Sequence, residues 1–182
     1  AFAGTGMDLE LLQWLETRTI PEEERYADPE YARKAYGPFA RKLKESATAR
    51  ACIFGTIHRE ATQILMEELE QTGLKTMVGK VSMDRNASAG LLEPGPFAAA
   101  RSVCQWLDVV SGKYENVKPV VTPRFVPACT EELLGELGKI CRERKLPVQS
   151  HLSENPSEIA WVKELCPWAE SYAEVYEHFG LL

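Results

Sequence analysis

The side chains of this chain best suited to chemistry gather where apolar runs give out. In "PVQSHLSEN", residues 147–155, Pro147 and Val148 suit a buried strand. Asn155, Pro156 and Glu158 then open a helix, with Asn155 as N-cap, Pro156 at the first helical position and Glu158 closing a capping box. His151 and Glu154 fall between the two. In an extended strand they point to opposite faces, because side chains alternate; the turn forced before Pro156 can swing Glu154 back beside His151. An imidazole that holds a metal and an unligated carboxylate that shuttles protons would together make a hydrolytic pair. The plainer alternatives are a hydrogen-bonded structural histidine, and a carboxylate that only favours the dipole of the following helix.

A second loaded strand end is "VKPVVTPRF", residues 117–125. The guanidinium fork of Arg124 can grip a carbonyl oxygen and a nitrogen of a planar ring, as arginine does at the edge of guanine, while Phe125 offers an aromatic wall. A surface salt bridge and core packing are the alternatives for these two. His58, with only Glu60 nearby as a carboxylate, reads as structural. Asp84 and Arg85, after "VGKVSM", read as architecture.

Positioning these groups requires a regular scaffold. Strand candidates cover residues 51–57, 76–83, 117–125 and 146–152, and each is followed by a helical pattern, at 60–71, 97–110, 131–144 and 157–166. Strand and helix in this rhythm mean parallel βαβ units. Two further helices are expected ahead of them, at 9–17 with Leu11, Leu12 and Leu15 on one side, and at 29–46 with an interruption near Gly37-Pro38. The stretch between, "TRTIPEEERYADPE", reads as a polar, ordered surface excursion, and "NASAGLLEPGP" as the most flexible piece. With no GxGxxG or P-loop to mark a doubly wound sheet, the expected class is α/β as a partial (β/α)8 barrel, whose functional groups sit at the carboxyl ends of its strands. Four strands leave two raw edges, so the chain is expected to be a fragment or to need a partner.

Composition narrows the partners. The chain has 182 residues, 45% apolar and 26% charged, with a formal charge of -6 from 27 acidic and 21 basic side chains, so a nucleic-acid polymer is excluded in favour of a small ligand. Five cysteines without a CxxC pair are expected to be reduced core thiols. No apolar run approaches the ~18 residues of a membrane span, and no signal peptide is apparent, so no membrane role and a cytoplasmic location are expected.

The stretches "VGKVSMDRN", "VKPVVTPRF", "GELGKICRERKLPVQSHLSEN" and "EIAWVKELCP", with "AFAGTGMDLELLQWLETRTIPEEERY" ahead of them, resemble the guanine deaminases of the amidohydrolase superfamily over nearly the whole chain. The resemblance implies one metal-dependent hydrolase barrel domain, of which residues 1–182 are strands two to five: a helical excursion after the first strand over 1–48, then four β/α units over 49–182. It implies one Zn2+ per active site, with His151 as a metal ligand and the remaining ligands outside this chain. It further implies Glu154 as the catalytic acid/base, and Arg124, Phe125, His151 and Glu154 as the substrate-binding set for guanine, which loses ammonia to give xanthine. A homodimer is implied for the full-length protein, and the chain alone is expected to be inactive. The alternatives left open are a zinc aminohydrolase acting on another purine, pyrimidine or triazine, and a truncated, non-catalytic binding protein.

Overall fold

The computed structural model of the chain describes residues 8, 9 and 11–182. The side chains of Leu11 and Leu12, expected on one face with Leu15, lie outside the described set. Helix α1 (Leu11–Trp14) widens into a π turn at Leu15–Thr19 and continues as α2 (Ile20–Glu24), which a 3-10 turn at Arg25–Ala27 ends. The stretch expected to be a turn-rich surface excursion is therefore largely helical. Pro21 stands inside this run, where it has no amide to give to the preceding turn.

Helix α3 (Pro29–Glu45) is capped by Asp28, whose carboxylate accepts from the Glu30 amide at 2.9 Å. The expected interruption near Gly37-Pro38 does not occur, and Pro38 lies inside one continuous helix. Proline forfeits one helical hydrogen bond and crowds the preceding turn. Burial of Ala32 and Tyr36 before it and Ala40 after it, on the side packed against α4 (Arg59–Glu70), offsets that cost.

The strands are all parallel. β1 (Arg50–Phe54) pairs with β2 (Lys75–Gly79), and β2 with β4 (Val117–Pro119). Beyond them β3 (Val81–Ser82) pairs with β5 (Thr122–Pro123), and Val121 bridges Val148. Helices α4, α5 (Pro96–Val110), α6 (Glu131–Arg144) and α7 (Pro156–Leu165) follow the successive strand segments, so the expected α/β class and parallel order hold. The strands are shorter than their sequence runs. Two runs are split in two and the fourth is reduced to one bridge; in the third and fourth, Pro119, Pro123 and Pro147 have no amide to give to a ladder. Gly79 lets the two halves of the sheet close up: a Cβ there would stand 1.7 Å from Thr122 Oγ1.

Most of the core lies between sheet and helices, with Leu65, Leu69, Val78, Leu107, Leu133, Leu134 and Leu137 fully buried. A smaller cluster of Val81, Met83, Leu91 and Ala128 sits nearer the strand ends, with Ile20, Phe54 and Phe125 against it. The loop expected to be the most flexible is pinned instead. Leu91 is buried, and Glu93 accepts from Lys80 Nζ at 2.7 Å and from the Met83 amide in a buried ion pair. The cysteines are all free; Cys129, Cys141 and Cys166 are buried as expected, but Cys52 is exposed and is no core thiol. A last helix, α8 (Tyr172–His178), was not anticipated. Among the described residues no helix is long and apolar enough to cross a membrane.

Candidate functional site

The segment after Val148 turns twice before it becomes a helix. Ser153 adopts a left-handed backbone (φ 57), which reverses the chain between His151 and Glu154. Both side chains then line one cavity of about 340 Å³, together with Arg124, Phe125, Phe54 and Glu158. The capping box expected at α7 is present: the Asn155 side chain accepts from the Ser157 amide at 2.8 Å, while Glu158 Oε2 accepts from the Asn155 amide. Glu158 does more than close the box, because the same oxygen accepts from the Glu154 amide at 2.8 Å.

The orientation of His151 follows from one bond. Its Nδ1 lies 2.7 Å from the carbonyl oxygen of Arg124, and a carbonyl can only accept, so Nδ1 carries the proton and Nε2 keeps its lone pair. A ring whose second nitrogen is held in this way is the usual arrangement of a metal-ligating histidine. Phe54 packs on the ring with centroids 4.6 Å apart. Metal fit stops at this one ligand and a neighbouring carboxylate. Among the described residues no group of three His, Cys, Asp or Glu side chains could hold a metal ion.

Helix α8 secures the loop from behind. Tyr176 donates to the carbonyl of His151 at 2.8 Å and stands 2.6 Å from Ser150 Oγ, which donates to the Pro123 carbonyl at 2.9 Å. Tyr172 donates to Glu158 Oε1 at 2.7 Å and stacks on Tyr176 with centroids 5.7 Å apart. Burial pushes both phenols far above their ordinary range, so they remain donors. Neither tyrosine carries a motif, and only the spacing of four along one helix face hints that they act together.

Arg124 faces the cavity from the other side. It is not a surface salt bridge: Arg124 Nη1 donates to Glu23 Oε2 at 2.7 Å with the two side chains only 16% and 12% exposed. Glu23, Trp14, Leu15 and Thr19 come from the N-terminal helical segment and complete the cavity wall. Sequence reasoning missed all four, since nothing in "IPEEERY" separates Glu23 from its acidic neighbours. Phe125 meets Trp161 edge to face, centroids 6.3 Å apart, and lines both this cavity and a more apolar one beside it. Phe125 therefore packs and faces the cavity at once.

The remaining candidates lie apart. His58 precedes α4 and lines a separate cleft with Arg59, Glu60 and Trp106. Burial lowers its pKa against the Glu23 charge, which raises it, so the ring is neutral. Asp84 accepts from both the amide and the hydroxyl of Thr130, the N-cap of α6, and Arg85 donates to the carbonyls of Val126 and Pro127. Both serve architecture.

The profile described as Amidohydrolase family matches residues 2–182. A guanine deaminase of Dictyostelium discoideum is 41% identical over 99% of this chain, and one of Escherichia coli K12 is 36% identical over 94%. The chain spans about two fifths of the length of these curated relatives, 40% and 39%. The crystal structure of guanine deaminase from C. acetobutylicum, with guanine bound in its active site, superposes with a TM-score of 0.94 at 43% identity, covering 98% of this chain and 42% of that one. Atrazine chlorohydrolase TrzN of Arthrobacter aurescens, in complex with zinc, shares the fold at a TM-score of 0.79 and 14% identity, covering 95% of this chain and 41% of its own.

Proposed function

The chain belongs to the amidohydrolase family, and on that footing we propose that it is the central part of a zinc-dependent guanine deaminase. In this reading its parallel strands are strands two to five of an eight-stranded β/α barrel. Residues 1–48 are a helical excursion after the first strand, and residues 49–182 are four β/α units. The observation that carries the reading is the convergence in one cavity of His151, whose Nδ1 is held by the Arg124 carbonyl so that Nε2 keeps its lone pair, and of Glu154, Arg124 and Phe125. The guanine deaminase relatives support the choice of substrate, and the net charge of -6 suits a small neutral ring better than a polyanion.

His151 would hold the zinc through Nε2, with its other protein ligands outside this chain. Zinc, when bound, supplies an activated water at neutral pH. Glu154 takes a proton from the water that adds to C2 of guanine and passes it to the ring nitrogen, then relays the proton of the hydroxyl left on C2 to the departing amine. The C2–N bond to the exocyclic amine breaks, the water oxygen stays on C2, and the products are xanthine and ammonia. Arg124 donates to the ring's acceptor edge while Phe125 supports its face, so that C2 is presented to Glu154. Glu158 and Tyr176 keep the loop that carries His151 and Glu154 in place. A cytosolic homodimer goes with this reading and rests on the family resemblance.

The test is direct. The complete protein that carries this chain should bind zinc and convert guanine to xanthine with one ammonia released per turnover. The 182-residue chain alone should release none, because a catalytic zinc needs about three protein ligands. Guanine left intact by the complete, zinc-loaded protein would overturn the substrate assignment.

A further inference from the structure

Glu23 uses only half of its hydrogen-bonding capacity. Its Oε2 accepts from Arg124 Nη1 at 2.7 Å, while Oε1, also buried, has no partner among the described residues. One helical turn earlier, the Thr19 hydroxyl is likewise buried and unpartnered. Both residues line the cavity that holds His151 and Glu154. The contrast with Glu158 on the opposite wall is plain, since both of its oxygens are taken by donors of the protein. A buried carboxylate oxygen left without a donor is costly, and such groups in folded proteins nearly always have one. Among the described residues none supplies the donor at Glu23 Oε1, and a ring bound in the cavity that Glu23 lines would supply one.

We propose that Glu23 is a specificity-determining residue, which fixes the Arg124 guanidinium with one oxygen and accepts a ring N–H of the substrate with the other. The pair then reads a ring edge on which a hydrogen-bond acceptor lies near a donor, as a cyclic amide or an imidazole presents them. Arg124 links this reading to the chemistry: its side chain is held by Glu23 while its carbonyl orients His151. A misplaced Arg124 would therefore disturb substrate and metal ligand together. The proposal rests on the guanine reading above.

The experiment uses the complete zinc-loaded enzyme, wild type and with Glu23→Gln or Glu23→Ala, on guanine and on its 1-, 7- and 9-methyl derivatives, each of which blocks one ring N–H. Glu23→Gln keeps an amide oxygen for Arg124 but turns an NH2 toward the ring. It should lower kcat/KM for guanine by about 10-fold or more, mostly through KM, with zinc content unchanged. In both variants the penalty that wild type shows for methylation should shrink either at position 1, where Glu23 reads the cyclic amide, or at 7 and 9 together, where it reads the imidazole, since methylation at either nitrogen removes the one imidazole proton. Equal losses on guanine and all three derivatives would reduce Glu23 to a counter-ion of Arg124 and would overturn the proposal. So would a Glu23→Gln enzyme within about two-fold of wild type on guanine. If wild type deaminates a different ring and leaves guanine intact, the guanine reading fails by itself, and the same comparison on that ring and its N-methyl forms decides the role of Glu23.

Discussion

The two walls of the cavity are built on different principles. The wall carrying His151 and Glu154 is local: a strand end, a left-handed residue at Ser153 and a capped helix start lie within a dozen residues, and Glu158 ties the loop to its own helix. The wall carrying Arg124 is distant. Its guanidinium meets Glu23, 101 positions earlier in the chain, and its carbonyl meets His151, 27 positions later. In the proposed reading, the groups that do chemistry are placed largely by the local turn and helix start, and the groups that choose the ring by packing of remote segments. Damage to the first wall should remove turnover, and damage to the second should change what is turned over.

His151→Ala gives the sharpest break. In the complete enzyme it should cost the zinc as well as activity, so metal analysis and ammonia release should fall together. Next comes Glu154→Gln, expected to keep zinc and lose on the order of 10²-fold or more in kcat, the usual worth of a general acid/base. Wild-type turnover in this variant would reduce Glu154 to a loop residue and erase the distinction between the walls.

On the other wall, Arg124→Met keeps side-chain length but removes the fork. The preference for guanine over 2-aminopurine, read as a ratio of kcat/KM, should drop by about 10-fold or more with zinc retained, since buried donors otherwise left unpaired penalise a ring without the 6-oxo group. Arg124→Lys should recover part of the loss, because a point charge does not reproduce a bidentate contact. An unchanged ratio in both would assign the ring's recognition elsewhere.

The smallest effect is expected behind the first wall. Tyr176→Phe removes the donor to the His151 carbonyl and should lower unfolding free energy by about 1 kcal/mol. Turnover should fall only a few-fold, since Glu158 still holds the Glu154 amide. A loss as large as that of Glu154→Gln would mean that α8, not the local turn, sets the geometry of this wall.

How much of this was legible beforehand differs between the walls in the same way. The capping box at Asn155, the reversal between His151 and Glu154 and the alternation of strands and helices all depend on residues within one or two turns of each other, and backbone preference and periodicity encode such features directly. The same local rules misled at Pro38, where a proline expected to interrupt α3 is carried through by burial of the residues around it. They misled again between residues 86 and 96, where small residues suggested mobility and a buried Lys80–Glu93 pair fixes the loop.

The sequence by itself determined which residue types stand at the strand ends, the parallel α/β order and the opening of α7, because each follows from neighbours along the chain. Only the tertiary structure decided that Glu23 holds Arg124, that the polar segment before α3 walls the cavity, and that Tyr172 and Tyr176 brace the His151 loop. Those contacts arise when elements far apart in the chain are brought together by burial of a shared core. The hydrophobic pattern that drives that burial is non-directional and does not specify which polar side chains will meet at its edge.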